Sequence, residues 1–304
     1  MNESKNNTKW GLFKLLLIAL LVMALWGSLY PMVKIGYLTL GIASDSVPSI
    51  LLFAGLRFAV CGVAALGISF VKKDRIESDR GSIITQILLI SLFSIVLHYG
   101  FSYIGLSSQD SSKTALIKQI GSLAYICCAP LFFKEEKFSL FKLFGAIAGF
   151  CGILAINYTD GKISLAVGDL LILAASACIV ISSIANKRVA SKASSFIITG
   201  ISQLSGGLVL IFAALIMGGA SLSLTPLGTA VFCYICAAST TAYLLWTYIL
   251  RTGTLSKMFI IKFAEPLFAC MFGAVLLNEN IFKIQYLFAF VLISAGIMLA
   301  SKEN

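Results

Sequence analysis

The second half of this chain repeats the first at a constant offset of 144 residues, and the repetition runs through an almost unbroken series of apolar segments. Tyr99 pairs with Tyr243, Lys113 with Lys257, Lys118 with Lys262, Glu135 with Glu279, Phe138 with Phe282, Phe144 with Phe288 and Gly152 with Gly296, all without a gap. Such a chain must place two copies of one helical unit in a bilayer, and internal duplication of a membrane protein is the pattern of a transporter.

Of the 304 residues, 59% are hydrophobic and only 12% charged, too little polar surface to cover a water-soluble globule. A spanning helix needs about 20 mainly apolar residues. Parsing by that length predicts ten spans, near 14–36, 47–70, 83–106, 113–133, 139–158, 166–187, 194–218, 226–250, 254–277 and 281–301. The expected class is an all-α integral membrane protein. Its connections leave no room for a soluble domain, so its work is done in or across the membrane.

The net charge of +10 does not call for nucleic acid, because the placement of Lys and Arg follows the positive-inside rule. With a cytoplasmic N-terminus carrying Lys5, Lys9 and Lys14, the inward loops hold Lys72, Lys73, Arg75 and Arg80, then Lys134, Lys137 and Lys142, then Lys187, Arg188 and Lys192, with Arg251 and Lys302 completing that side. The outward side holds Lys34, Lys162 and Lys283, with Lys113 at the edge of a span. Both termini are therefore expected in the cytoplasm. The first span is not read as a cleaved leader, because it is long and contains Trp26 and Pro31.

Five helices per repeat is an odd number, so spans three to five and their mates, eight to ten, run in opposite directions. The expected architecture is two inverted five-helix repeats, 14–158 and 166–301, related by a pseudo-two-fold axis in the membrane plane, with cargo handled near the midplane.

Ionisable side chains deep in a span cost roughly 2.5–3.5 kcal/mol each and need a compensating reason. Glu265 is the only acidic residue placed at that depth, and Lys262 lies one turn before it on the same helix face. The pair either satisfies itself or faces a cavity, where Glu265 binds a proton or an amine and Lys262 an acid group. Lys118 is the mate of Lys262, but Gly121 stands where the mate of Glu265 would be. With Arg57 in the second span, three deep cations face one deep anion, a balance that favours an anionic or zwitterionic cargo. A snorkelling Lys118 would weaken that balance.

His98, the only histidine, is either a packing residue or a proton relay. Tyr99 and Tyr243 sit at equivalent places and either line a route or pack. Trp26 is mid-span, and Gly27 and Pro31 beside it suggest an irregular helix at a cavity. Gly145, Gly149 and Gly152 mark a close helix contact, within one chain or across a homodimer.

All eight cysteines fall inside predicted spans and read as small packing residues, the CxxC at Cys233 and Cys236 included. The chain carries no GxxxxGK[ST] loop, no HExxH and no hydrolase triad. No enzyme activity, cofactor or metal is expected; the partners are a small-molecule substrate and the lipid bilayer.

ALWGSLYPMVK at 24–34, LRF at 56–58 and EPLFACMFGAVLLNE at 265–279 resemble the first-, second- and ninth-helix motifs of the EamA branch of the drug/metabolite transporter superfamily. The resemblance covers about residues 14–301. It implies ten helices in two inverted repeats around a central cavity and secondary transport of a small organic solute, with Trp26, Arg57 and Glu265 at motif positions. Ser122 departs from the pattern, which has proline there as at Pro266.

The leading expectation is a carrier in the cell membrane that exports or exchanges an acid-bearing metabolite such as an amino acid by alternating access. An obligate exchanger of phosphorylated or nucleotide-linked solutes is the alternative within transport, and would take up cargo only when preloaded on the far side. A membrane-embedded enzyme or scaffold would need a cluster of catalytic groups at one face, which the sequence lacks.

Overall fold

The structure is a computed structural model that describes residues 2–76, 79–132, 139–159, 162–163, 165–189, 192–252 and 264–300. Among these the chain forms helices α1 (Asn2–Thr39), α2 (Val47–Val71), α3 (Arg80–Ser91), α4 (His98–Ser107), α5 (Ser111–Lys118), α6 (Ile120–Phe132), α7 (Leu140–Ile156), α8 (Val167–Val189), α9 (Ser195–Met217), α10 (Pro226–Thr252), α11 (Ala264–Leu277) and α12 (Ile284–Ala300). Two residues, Tyr158–Thr159, pair antiparallel with Lys162–Ile163 between α7 and α8.

Seven helical stretches are long and apolar enough to cross a membrane: Leu17–Thr39, Val47–Val71, Arg80–Ser107, Ser111–Phe132, Val167–Asn186, Ser195–Met217 and Pro226–Leu245. Three more, Leu143–Ala155, Ala264–Leu277 and Ile284–Gly296, are apolar but shorter. Large side chains such as Phe144, Phe150, Phe212, Val275 and Phe288 point outward with most of their surface uncovered. Only a hydrocarbon solvent makes that arrangement stable.

Local chemistry sets the ends. Asp79 caps α3 by accepting from the Ser82 N–H, Ser194 caps α9 by accepting from the Ile197 N–H, and α2 opens with proline in its first turn. Gly41, at φ +66°, turns the chain out of α1 in the left-handed region that glycine tolerates. α1 itself stays helical through Pro31, so the irregularity expected there is not seen. The proline lacks an N–H, and the Gly27 carbonyl four residues back loses its in-helix donor.

Irregularity appears in two other places. The third span passes through a π-helical turn at Leu92–Leu97 that delivers His98 and Tyr99. The fourth breaks at Gln119, immediately after Lys118, and Ser176 of α8 donates to the Lys118 carbonyl there at 3.5 Å. The predicted ninth span, 254–277, is described only from Ala264, so Glu265 stands in the first turn of α11.

Helix packing obeys the repeat. α1 lies against α10 and α11, and in the same way α8 lies against α4 and α6. α2 packs on α9, and α7 on α12, each with its own counterpart. α1 ends at the face where Lys34 donates to the Gln109 carbonyl, whereas α8 begins there, with Asp169 in contact with Lys113. The first helices of the two halves thus run in opposite directions. At the other face, Asp74 beyond α2 accepts from Ser194 before α9, and Lys72, Lys73, Arg75 and Arg80 flank that contact in sequence.

A central apolar core joins the halves, with Tyr37, Phe53, Phe58, Tyr103, Leu210 and Ile235 among its buried members. The glycine face of α7 is spent inside the chain. A Cβ on Gly152 would meet Ile293 of α12 at 2.6 Å, one on Gly149 would meet Leu123 of α6, and one on Gly296 would lie 2.5 Å from the Gly145 carbonyl. Cys236 faces inward and Cys233 outward, so the CxxC pair does not share a face.

Candidate functional site

Trp26 and Tyr30 are four residues apart on α1 and therefore share one side of that helix. Gly27 between them lets α11 approach closely, since a Cβ there would sit 2.6 Å from the Phe268 Cβ and 2.9 Å from the Glu265 carbonyl. One turn on, the Tyr30 hydroxyl donates to Glu265 Oε1 at 2.9 Å. The carboxylate is thus held by a hydroxyl from the opposite half, 235 residues away in sequence.

The break after Lys118 leaves that side chain directed inward. Its ammonium lies 5.4 Å from the centroid of the Tyr30 ring and 5.2 Å from that of Tyr99, within cation–π range of both. Lys118 does not snorkel. Tyr30 therefore joins the two charges, its ring facing Lys118 and its hydroxyl bound to Glu265.

Tyr99 and Tyr243 are repeat mates, and their hydroxyls meet at 2.9 Å. Atoms exchanged by a two-fold operation can touch only near its axis, so this contact marks the pseudo-axis. Trp26 packs edge-on against Tyr243 at 5.8 Å, and Phe58 lies 4.3 Å from Tyr99 between ring centroids.

Arg57 is 1% exposed. Its Nε and Nη2 donate to Ser239 Oγ of α10 at 3.1 and 2.7 Å, and that hydroxyl in turn donates to the Ile235 carbonyl. The guanidinium lies 4.8 Å from the Phe58 centroid and 5.6 Å from those of Tyr99 and Tyr103. Among the described residues no carboxylate comes within ion-pair distance of Arg57 or Lys118. His98 is fully buried, with Nδ1 2.8 Å from the Ala175 carbonyl and its ring 4.7 Å from Tyr99. Its Nε2 has no hydrogen-bond partner among the described residues.

Trp26, Arg57, His98, Tyr99, Lys118, Tyr243 and Glu265 thus gather around one pair of tyrosine hydroxyls. Lys262, the third deep cation expected from the sequence, lies outside the described residues. No group of three or more His, Cys, Asp or Glu side chains arranged to hold a metal occurs among the described residues.

The sequence profile of the EamA-like transporter family matches residues 13–158 and again 166–302. The chain belongs to the EamA-like transporter family. A solved crystal structure, described only as that of a protein, has the same fold with a TM-score of 0.64, covering 94% of this chain and 96% of that one at 17% identity. No curated protein matches the chain.

The EamA-family fold also brings in residues that the sequence reading passed over: Tyr30, Ser239 and Tyr103. Tyr30 was detectable, since it stands one turn after Trp26 on the same helix side. The sequence points to Lys262 on the same helix as a partner of Glu265, and that residue lies outside the described ones; among the described residues the hydrogen bond to Glu265 comes from Tyr30 of α1. Ser239 carries no sequence mark that separates it from the other serines of α10.

The fold explains the Gly121 asymmetry as well. A Cβ on Gly121 would meet Ile179 of α8 at 2.9 Å and the Ser176 carbonyl at 3.2 Å. The α6–α8 crossing takes its small residue from position 121 itself, whereas the equivalent α11–α1 crossing takes it from Gly27. Position 265 is thereby free to carry a carboxylate.

Proposed function

We propose that this EamA-family protein is a secondary carrier of the cell membrane that moves a small acid-bearing organic solute, with amino acids as the leading class, by alternating access. The observation that carries this reading is the composition of the axial site. One carboxylate and two cations without a carboxylate partner among the described residues meet between tyrosine rings. A zwitterion complements that set: its acid group answers the excess positive charge of Lys118 and Arg57, and its amine answers Glu265. The rings of Trp26, Tyr99 and Tyr243 offer faces to an apolar side chain.

Ten crossings with both termini in the cytoplasm belong to the same proposal. Seven long apolar helices and three shorter ones support that count, and the Lys- and Arg-rich loop between α2 and α3 supports that orientation.

The purified protein in proteoliposomes, offered a pool of radiolabelled amino acids, is expected to accumulate at least one of them. Glu265→Gln should reduce that flux about a hundredfold, the order expected when a charged hydrogen-bonding group is lost from a low-dielectric site. Size-exclusion profiles should stay unchanged. Full flux in that variant would remove Glu265 from the mechanism, and no accumulation of any amino acid would overturn the cargo class.

A further inference from the structure

At the face where α1 ends, a side chain of the second half reaches into the first. Asn278, at φ +54°, stops α11 and turns the chain so that the Glu279 N–H returns to the Gly273 carbonyl at 3.2 Å. Asparagine is among the few non-glycine residues that take this backbone readily. The Glu279 side chain then enters the first half and caps α5. Oε1 accepts from the Ser111 N–H at 2.7 Å, and Oε2 from the Ser112 N–H at 3.0 Å and the Ser112 hydroxyl at 2.6 Å.

A carboxylate at a helix N-terminus satisfies donors that have no partner within the helix and meets the positive end of its dipole. Lys34 of α1 stands 3.9 Å from Oε1 and ties the same point to the Gln109 carbonyl at 2.7 Å. Three elements converge on a carboxylate whose side chain is only 5% exposed. The contact also depends on Gly273, since a Cβ there would lie 2.7 Å from Glu279 Oε2 and 2.8 Å from Ser112 Oγ.

We propose that Glu279 is the gating residue of this face: its carboxylate clamps α5 shut, and must release the Ser111 and Ser112 N–H groups before the axial site can open to that side. The clamp joins the two halves directly, as a gate between moving bundles must. It also grips the helix whose last residue is Lys118, so closure of the face and placement of that ammonium are mechanically linked. Two other contacts brace the helix without crossing on Glu279. Lys113 pairs with Asp169 of α8 at 2.9 Å, and the Tyr286 hydroxyl donates to Asp110 Oδ2 at 2.8 Å. At the level of sequence the repeat places the same residue types, Glu135, Ser256 and Lys257, as mates of Glu279, Ser112 and Lys113.

This inference rests on the alternating-access reading but is tested without cargo. In a cysteine-free background, Ala115→Cys places a thiol on α5 between the clamp and Lys118, at a position buried against Tyr30 and Ala269. Its labelling by a membrane-impermeant maleimide is measured in proteoliposomes. Glu279→Gln and, independently, Gly273→Ala should each raise the labelling rate about tenfold, the loss expected for hydrogen bonds to a charged group. Labelling of Ile184→Cys, a buried position on α8 at the other side, should stay unchanged. An unchanged rate at position 115 in both variants would overturn the gate, and so would an equal rise at position 184, which marks general loosening. Because labelling needs no transported solute, loss of the amino-acid reading leaves this result standing.

Discussion

Tyr30 illustrates how one side chain can set the character of a charged site. Its hydroxyl binds Glu265 and its ring faces Lys118, so the two charges share one intermediary. Tyr30→Phe keeps the ring and removes only the hydrogen bond, a loss of about 1.5–3 kcal/mol for a bond to a charged group. Transport by that variant should fall about tenfold or more, while its thermal unfolding in detergent moves little, because the packing is retained. A large loss of melting temperature would show that the bond serves folding instead. Arg57 differs from Lys118 in being tied to Ser239 as well as stacked among rings, which gives it a fixed position. Lys118, held by ring faces alone among the described contacts, keeps its three donors for another acceptor.

At the scale of elements, small residues decide where helices cross. The α7–α12 contact is built on Gly145, Gly149, Gly152 and Gly296, and a Cβ on Gly296 would sit 2.5 Å from the Gly145 carbonyl and 3.0 Å from the Gly149 N. Gly296→Val should therefore cost about 1–3 kcal/mol through overpacking. Thermal unfolding followed by tryptophan fluorescence would read that cost as a lowered midpoint, and an unaltered midpoint would mean that the two helices do not meet here. The same logic operates in the broken fourth span. Gln119 interrupts the helix where Lys118 turns inward, and the Lys118 carbonyl lies 3.5 Å from Ser176 Oγ, whose shorter bond, at 2.9 Å, goes to the Ile172 carbonyl. The break forms with Ser122, not proline, at the repeat mate of Pro266.

At the scale of the whole molecule, the contact between Tyr99 and Tyr243 fixes the pseudo-axis and the axial site together. Inversion of the halves then has a measurable consequence. Cysteines replacing Lys73, beyond α2, and Lys283, before α12, should react with impermeant reagents from opposite sides of oriented vesicles. Reaction of both from one side would contradict the orientation of these helices.

How far the sequence could be read differs by residue. The duplication was plain in matches such as Lys113 with Lys257, and Trp26, Arg57 and Glu265 stood out because polar or bulky groups deep in apolar spans carry a cost that must be answered. Apolar run length announced the helices for the same reason: a bilayer satisfies no backbone groups, so the chain must do so within each span. The sequence alone thus determined a duplicated helical membrane protein and a short roster of deep charges. Partnership was decided only by tertiary structure. Glu265 meets Tyr30 across 235 residues, Glu279 caps a helix 168 residues before it, and the glycine at each repeat crossing can sit on either helix. Hydropathy records how deep a residue lies along its own helix, but hydrogen bonds and close crossings depend on rotation and neighbour choice, which are settled only when the helices pack.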